Sequence, residues 1–167
     1  MILPAAKTCK ENDCYDAATR CRTRRTPMKL SLYTDYSLRV LIHLGTHPGE
    51  LASIAQIAQA YGISHSHLTK VVQDLGAAGF IETVRGRNGG IRLGRAPAKI
   101  GLGEVVRHTE AHFDLVDCSN CLIAPACGLP PILAEATRAF LAVLDGYTVA
   151  DLLGRQRALQ RLFAVGG

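Results

Sequence analysis

The stretch SIAQIAQAYGISHSHLTKVVQDLGAAGFIETVRGRNGGIRL, residues 53–93, decides the fold, because its apolar residues recur first at helical spacing and then in short extended runs. Ser53 and Gln56 stand three apart in the capping-box pattern, and Ile54, Ile57 and Ala58 fall on one side of the short helix that follows. Tyr61-Gly62 ends that helix, since glycine takes the left-handed conformation a helix end favours. Ser64 caps the next helix, whose Leu68, Val71, Val72 and Leu75 form an apolar stripe, and Gly79 closes it. Two short helices meeting at Gly62-Ile63 predict a helix-turn-helix. Phe80 to Val84 and Ile91 to Leu93 then bracket Arg85-Gly86-Arg87-Asn88-Gly89-Gly90, which predicts a β-hairpin with a glycine-rich, cationic tip. A helix-turn-helix followed at once by such a hairpin is a winged helix.

Upstream, Thr34 is expected to cap a helix with Asp35 in its first turn, and Leu38, Leu41, Ile42 and Leu44 recur until Thr46-His47-Pro48-Gly49 stops them. Downstream, Leu102 to His108 reads as a short helix, Ala111 to Gly128 as a loop, and Ile132 to Leu144 as a long apolar-faced helix. Val149, Leu152, Leu153 and Leu162 mark a weaker helical tail. Residues 1–27 carry no apolar period, so they are either a disordered arm or a stretch ahead of a start at Met28. The expected class is therefore mainly α with a small β-hairpin: a winged helix-turn-helix (28–97), a loop and dimerisation helix (98–153) and a tail (154–167).

Composition agrees. The 167 residues suit one core; aromatic residues are 5%, Trp is absent, and the 48% apolar content, mostly aliphatic, favours helix packing. No apolar run approaches a membrane span and no secretory signal opens the chain, so a membrane role is excluded and a reducing bacterial cytoplasm is expected. The net charge of +5 is uneven: residues 1–27 and 28–97 each carry +3, while 98–167 carry −1. A basic first half suits a polyanion, although solubility alone also explains charge.

Double-stranded DNA is the polyanion that the motifs favour. Ser64, His65, Ser66, His67, Thr69 and Lys70 lie on the face that helix-turn-helix proteins put into the major groove. Arg85, Arg87, Arg92 and Arg95 fall within eleven residues that hold no acid, and Asn88 sits at the tip. Cations on a thin projecting loop neutralise phosphate or enter a narrow minor groove. One such unit makes a small contact, so a homodimer reading two half-sites is expected, and Ile132, Leu133, Ala136, Phe140, Leu141, Val143 and Leu144 offer it a seam.

Six cysteines fall in two groups, Cys9, Cys14 and Cys21, then Cys118, Cys121 and Cys127. In a reducing compartment clustered thiols mean metal or redox chemistry. The second group reads C-x2-C-x5-C, three thiolates with one position unfilled, and His108 and His112 are nearby nitrogen candidates. Structural zinc sites close with four protein ligands, whereas iron-sulfur clusters are held by cysteines with occasional replacement.

Tyr33-Thr34-Asp35-Tyr36-Ser37-Leu38-Arg39, the wing from Val84 to Leu93, the Cys118–Cys127 loop and the later Leu144-Asp145-Gly146-Tyr147-Thr148-Val149-Ala150-Asp151-Leu152 together resemble the Rrf2 family of bacterial winged-helix regulators. The resemblance runs from Met28 to about Leu153. Within it, Leu122 to Cys127 is most similar to the nitric-oxide-sensitive repressors; the regulators of iron-sulfur assembly space their cysteines differently and carry a histidine where this chain has Pro130. The resemblance implies an iron-sulfur cluster, four-iron or two-iron, one per subunit, bound by Cys118, Cys121, Cys127 and a carboxylate matching Asp35, which a dimer can supply from the opposite subunit. The gap between Cys118 and Cys121 is shorter than in most such repressors. Without a cluster, Asp35 would serve the helix dipole or pair with Arg39.

The implied function is a homodimeric, cytoplasmic, nucleoid-associated repressor whose operator affinity answers to nitric oxide. Its rivals are a regulator sensing iron, oxygen or cluster supply, and a zinc module without an operator. A thiol-redox enzyme using Cys118 and Cys121 would need a βαβ unit that the pattern lacks. No catalytic triad order, phosphate loop or paired carboxylates appear, so no catalysis is expected.

Overall fold

The computed structural model describes residues 29–87 and 89–165, so the expectations for 1–27, for a start at Met28 and for Asn88 lie outside the described residues. The elements run α1 (Leu32–Thr46), α2 (Ile54–Tyr61), α3 (His65–Ala77), β1 (Ile81–Val84), β2 (Gly90–Leu93), α4 (Leu102–Thr109), α5 (Leu129–Asp145), α6 (Val149–Leu152) and α7 (Gln156–Val165), with 3-10 turns at Pro97–Lys99 and Ala124–Ala126. Mainly helical with one small hairpin, this is the expected class. Among the described residues no helix is long and apolar enough to cross a membrane.

The helix-turn-helix forms where its caps place it. Gln56 N–H donates to Ser53 Oγ at 3.1 Å and Ser53 N–H to Gln56 Oε1 at 2.8 Å, completing the capping box. Gly62 ends α2 at φ 62°, and Ser64 Oγ accepts from His67 N–H at 3.3 Å. The wing pairs antiparallel from Ile81↔Leu93 to Val84↔Gly90. Its second strand also bonds the α1–α2 connection, Ala52 N–H to Ile91 O at 3.0 Å and Ile91 N–H to Ala52 O at 2.9 Å. A side chain at Gly90 would meet Ala52 O at 2.8 Å, so glycine is what permits this approach.

Three boundaries differ from expectation. The cap of α1 lies three residues before the expected one: it is Ser31, its Oγ accepting from Thr34 N–H at 3.2 Å, while Thr34 itself is buried inside the helix. Helix α5 starts at Leu129 because Pro130 and Pro131 sit in its first turn, where amide hydrogens have no helical partner anyway. The tail forms two helices, and α7 folds back on α1, where Gln156 and Gln160 amides donate to Thr46 O at 3.0 and 2.6 Å. Its Phe163 ring lies 4.8 Å from His43.

Leu41 of α1, Ile57, the α3 stripe, Phe80 and Ile91 pack with Ile100, Val105 and Val149 in one core. Packing therefore runs straight across the expected division at residue 97. Helix α5 stands apart: none of its seventeen residues is buried. Leu133, Thr137, Leu141 and Leu144 are half-buried towards the body, while Leu129, Ile132, Phe140 and Val143 are exposed. Those four recur at helical spacing, so the uncovered side is one apolar stripe.

Candidate nucleic-acid interface and thiol loop

Ser64, His65, Ser66, His67 and Lys70 are exposed at the N-terminal half of α3, with Thr69 half-buried beside them. The buried stripe of Leu68, Val71, Val72 and Leu75 turns this face outward. Two groups are partly committed already: Ser64 Oγ caps the helix, and Thr69 donates to His65 O at 2.8 Å. His65, His67 and Lys70 remain the outward-reaching donors. The helix N-terminus adds positive potential at the same end.

The wing carries fewer mobile cations than its sequence suggests. Arg85 and Arg87 are exposed and make no ion pair among the described residues. Arg92 instead pairs across the strands with Glu82 at 2.9 Å, and Arg95 with Glu104 at 3.0 Å while its guanidinium covers Phe80 at 4.8 Å. The acids lie just outside the acid-free run, one facing Arg92 through strand register and one reaching back from α4. An exposed pair such as Arg92–Glu82 contributes about 0–1 kcal/mol, so phosphate can compete for Arg92. Arg95 is a packing residue.

Cys118, Cys121 and Cys127 are free thiols, Cys121 exposed and the others half-buried. Successive backbone bonds, Cys121 N–H to Cys118 O, Ala124 N–H to Cys121 O and Cys127 N–H to Ala124 O, at 3.4, 3.1 and 3.3 Å, step through the loop. The cysteines are thus strung along three turns, and among the described residues no three His, Cys, Asp or Glu side chains are gathered to hold a metal ion. Asp35 pairs with Arg39 at 2.7 Å, the i,i+4 arrangement, and does not join the thiols within one chain. His108 is likewise taken, 3.1 Å from Asp74 on α3. The donors still suit an iron-sulfur cluster in kind and number, three unbridged thiols and one position over, provided the loop draws its turns together.

Around Cys118, the hydroxyl and then the backbone N–H of Ser119 hold the Asp117 carboxyl below the usual carboxylate range. A groove of about 790 Å³ lies between the loop and α5, lined by Leu115, Cys118, Leu133, Thr137 and Arg138. Helix α5 is clamped to α4 by Arg107 and Asp145, whose two bonds measure 2.5 and 2.6 Å. A side chain at Gly103 would fall on that Asp145 carboxylate, so Gly103 allows the clamp to close. Neither Gly103 nor this pair, 38 residues apart, leaves a signal in the local pattern.

A family model described as Rrf2, an iron-dependent transcriptional regulator, matches residues 30–155. The HTH-type transcriptional regulator NsrR of Bacillus licheniformis is 52% identical over 143 residues, covering 82% of this chain and 100% of the relative. Its namesake in Bacillus subtilis is 53% identical over 141 residues, 81% of this chain and 97% of the relative. Among solved structures, CymR, the global cysteine regulator of B. subtilis, aligns with a TM-score of 0.61 at 29% identity, covering 75% of this chain and 95% of that one. T. potens IscR aligns with a TM-score of 0.61 at 28% identity, covering 76% and 87%. With every helix but α7 inside the family match, and relatives named as regulators aligned along nearly their whole length, the chain belongs to the Rrf2 family of transcriptional regulators and is not an enzyme.

Proposed function

We propose that the chain acts as a homodimeric repressor in the bacterial cytoplasm, at the nucleoid, holding a promoter operator until nitric oxide releases it. The observation that carries this is the place of the thiol loop, which leaves the last turn of α4 and enters the first turn of α5. It thereby joins a helix packed on the DNA-reading body to a helix whose apolar stripe is uncovered. A change in the loop would reach both the reading heads and the seam between subunits.

At the operator, His65, Ser66, His67, Thr69 and Lys70 face base edges, Ser64 presents α3, and Arg85 and Arg87, with Arg92 and Asn88, take phosphate. The exposed stripe of Leu129, Ile132, Phe140 and Val143 packs on its copy, setting two α3 helices about one helical turn of DNA apart. Cys118, Cys121 and Cys127 would hold an iron-sulfur cluster, and Asp35 of a second subunit would fill the fourth position by giving up Arg39. When bound, the cluster supplies iron open to a small diatomic at its non-thiolate ligand. The likeness to regulators named NsrR supports nitric oxide as the signal.

Iron and sulfide analysis of the full chain purified without air tests the cofactor. The proposal expects both elements and visible absorption in the wild type, and their loss in Cys127→Ser. A colourless protein carrying one zinc would support the zinc module instead. Operator release by oxygen or iron depletion, with no response to nitric oxide, would support the other sensing class.

A further inference from the structure

Helix α4 grips both DNA-contacting elements with side chains one turn apart. His108 Nε2 lies 3.1 Å from Asp74 Oδ2 in the last turn of α3. Four residues earlier, Glu104 takes Arg95 at the exit of the hairpin at 3.0 Å. Positions i and i+4 share a helix face, so both grips work from one side of α4. Phe80, buried where α3 turns into the wing, is held between them. Its ring meets the His108 ring edge-on at 5.6 Å and the Arg95 guanidinium at 4.8 Å. Arg95 Nε is buried with no hydrogen-bond partner among the described residues, which leaves the ring and Glu104 to hold that guanidinium. The Tyr33 phenol of α1 donates to Lys70 O of α3 at 3.4 Å, and burial, then the nearby Asp74 carboxylate, push it up to about 12.

We infer that His108 and Glu104 are positioning residues for operator reading, holding the recognition helix and the wing at one fixed spacing through Asp74, Phe80 and Arg95. The inference rests on the DNA-reading role proposed above. A base-reading helix and a phosphate-binding wing must meet one duplex in register to bind specifically, whereas non-specific binding tolerates many placements. Loosening the bracket should therefore weaken specific binding and leave non-specific binding alone. Because α4 runs directly into the thiol loop, the same two side chains are where a loop rearrangement would reach both DNA elements.

The test uses the full chain purified without air and two probes: a duplex that the wild type enriches from a random-sequence pool, and an unselected duplex of equal length. His108→Phe keeps an aromatic ring beside Phe80 and removes the donor to Asp74; His108→Gln keeps a donor of similar reach. His108→Phe should lose about fivefold to tenfold in affinity for the enriched duplex and nothing for the unselected one, and His108→Gln should restore most of the loss. Wild-type affinity in His108→Phe, or equal losses on both duplexes, would overturn the inference. If His108→Phe melts early, Asp74→Asn is judged by the same ratio of affinities. A wild type that enriches no duplex sinks the DNA-reading role itself, and this inference with it; unchanged ratios in the variants sink only the bracket.

Discussion

Thr34 and Thr109 share a 2.8 Å hydrogen bond between two buried hydroxyls, tying the first turn of α1 to the last turn of α4. Thr109 donates to Val105 O at 3.0 Å, so its single proton is used and Thr34 is the donor to it. Ser31 Oγ, 3.2 Å from Thr34, completes a directed chain of hydroxyls. Thr109→Val keeps the shape but removes the 2.8 Å acceptor of the Thr34 hydroxyl, leaving it only the longer 3.2 Å contact with Ser31 Oγ. It should cost about 1–3 kcal/mol in thermal unfolding, and adding Thr34→Val should cost little more.

The wing arginines should divide by their partners. Arg85→Ala and Arg87→Ala should each weaken binding to any duplex and lower the slope of log affinity against log salt by about 1. Arg92→Ala should do less, because Glu82 already holds that charge. Lys70→Ala and His67→Ala should change which sequences are preferred. Titrations over a range of salt concentrations on two duplexes distinguish these effects.

His43 gives the fold an acid-sensitive point. It is 8% exposed, its Nδ1 has no hydrogen-bond partner among the described residues, and burial, then neighbouring His47, push it down to about 4. Since the folded value lies below the unfolded one, the unfolded chain binds the extra proton between about pH 6.5 and 4, and stability falls as pH falls through that window. The loss between pH 7 and pH 5 should be about 2 kcal/mol, roughly 5 °C in melting temperature. His43→Phe, which keeps a ring against Phe163, should flatten that part of the pH profile.

Charge on the uncovered stripe of α5 should separate the subunits without unfolding either. Ile132→Asp and Val143→Asp replace side chains that are 63% exposed in one chain, so the melting transition should persist while sedimentation reports a monomer. A variant that remains dimeric would remove α5 as the seam.

The winged helix was legible because each of its parts is local. Ser53 with Gln56, Gly62, Ser64, and the glycines around Arg85 and Arg87 all act within a few residues, where capping and turn chemistry are decisive. Relations formed across the fold were not legible. The pairing of Arg92 with Glu82 needed the strand register, and that of Arg95 with Glu104 needed the position of α4. A threonine before an acidic residue suits a cap or a helix interior equally, and for Thr34 only the contact with Thr109 decides. The thiol loop was legible in composition alone. C-x2-C-x5-C names the donors, but the turns that string them apart depend on backbone bonds that the spacing does not specify.

Nitric-oxide control is tested by operator binding of the full chain, purified without air and titrated with nitric oxide while fluorescence anisotropy follows the enriched duplex. Binding should be tight before addition and at least about tenfold weaker after it, with Cys127→Ser weak throughout. Equal affinity before and after nitric oxide, in a preparation shown to contain iron and sulfide, would rule out nitric oxide as the signal.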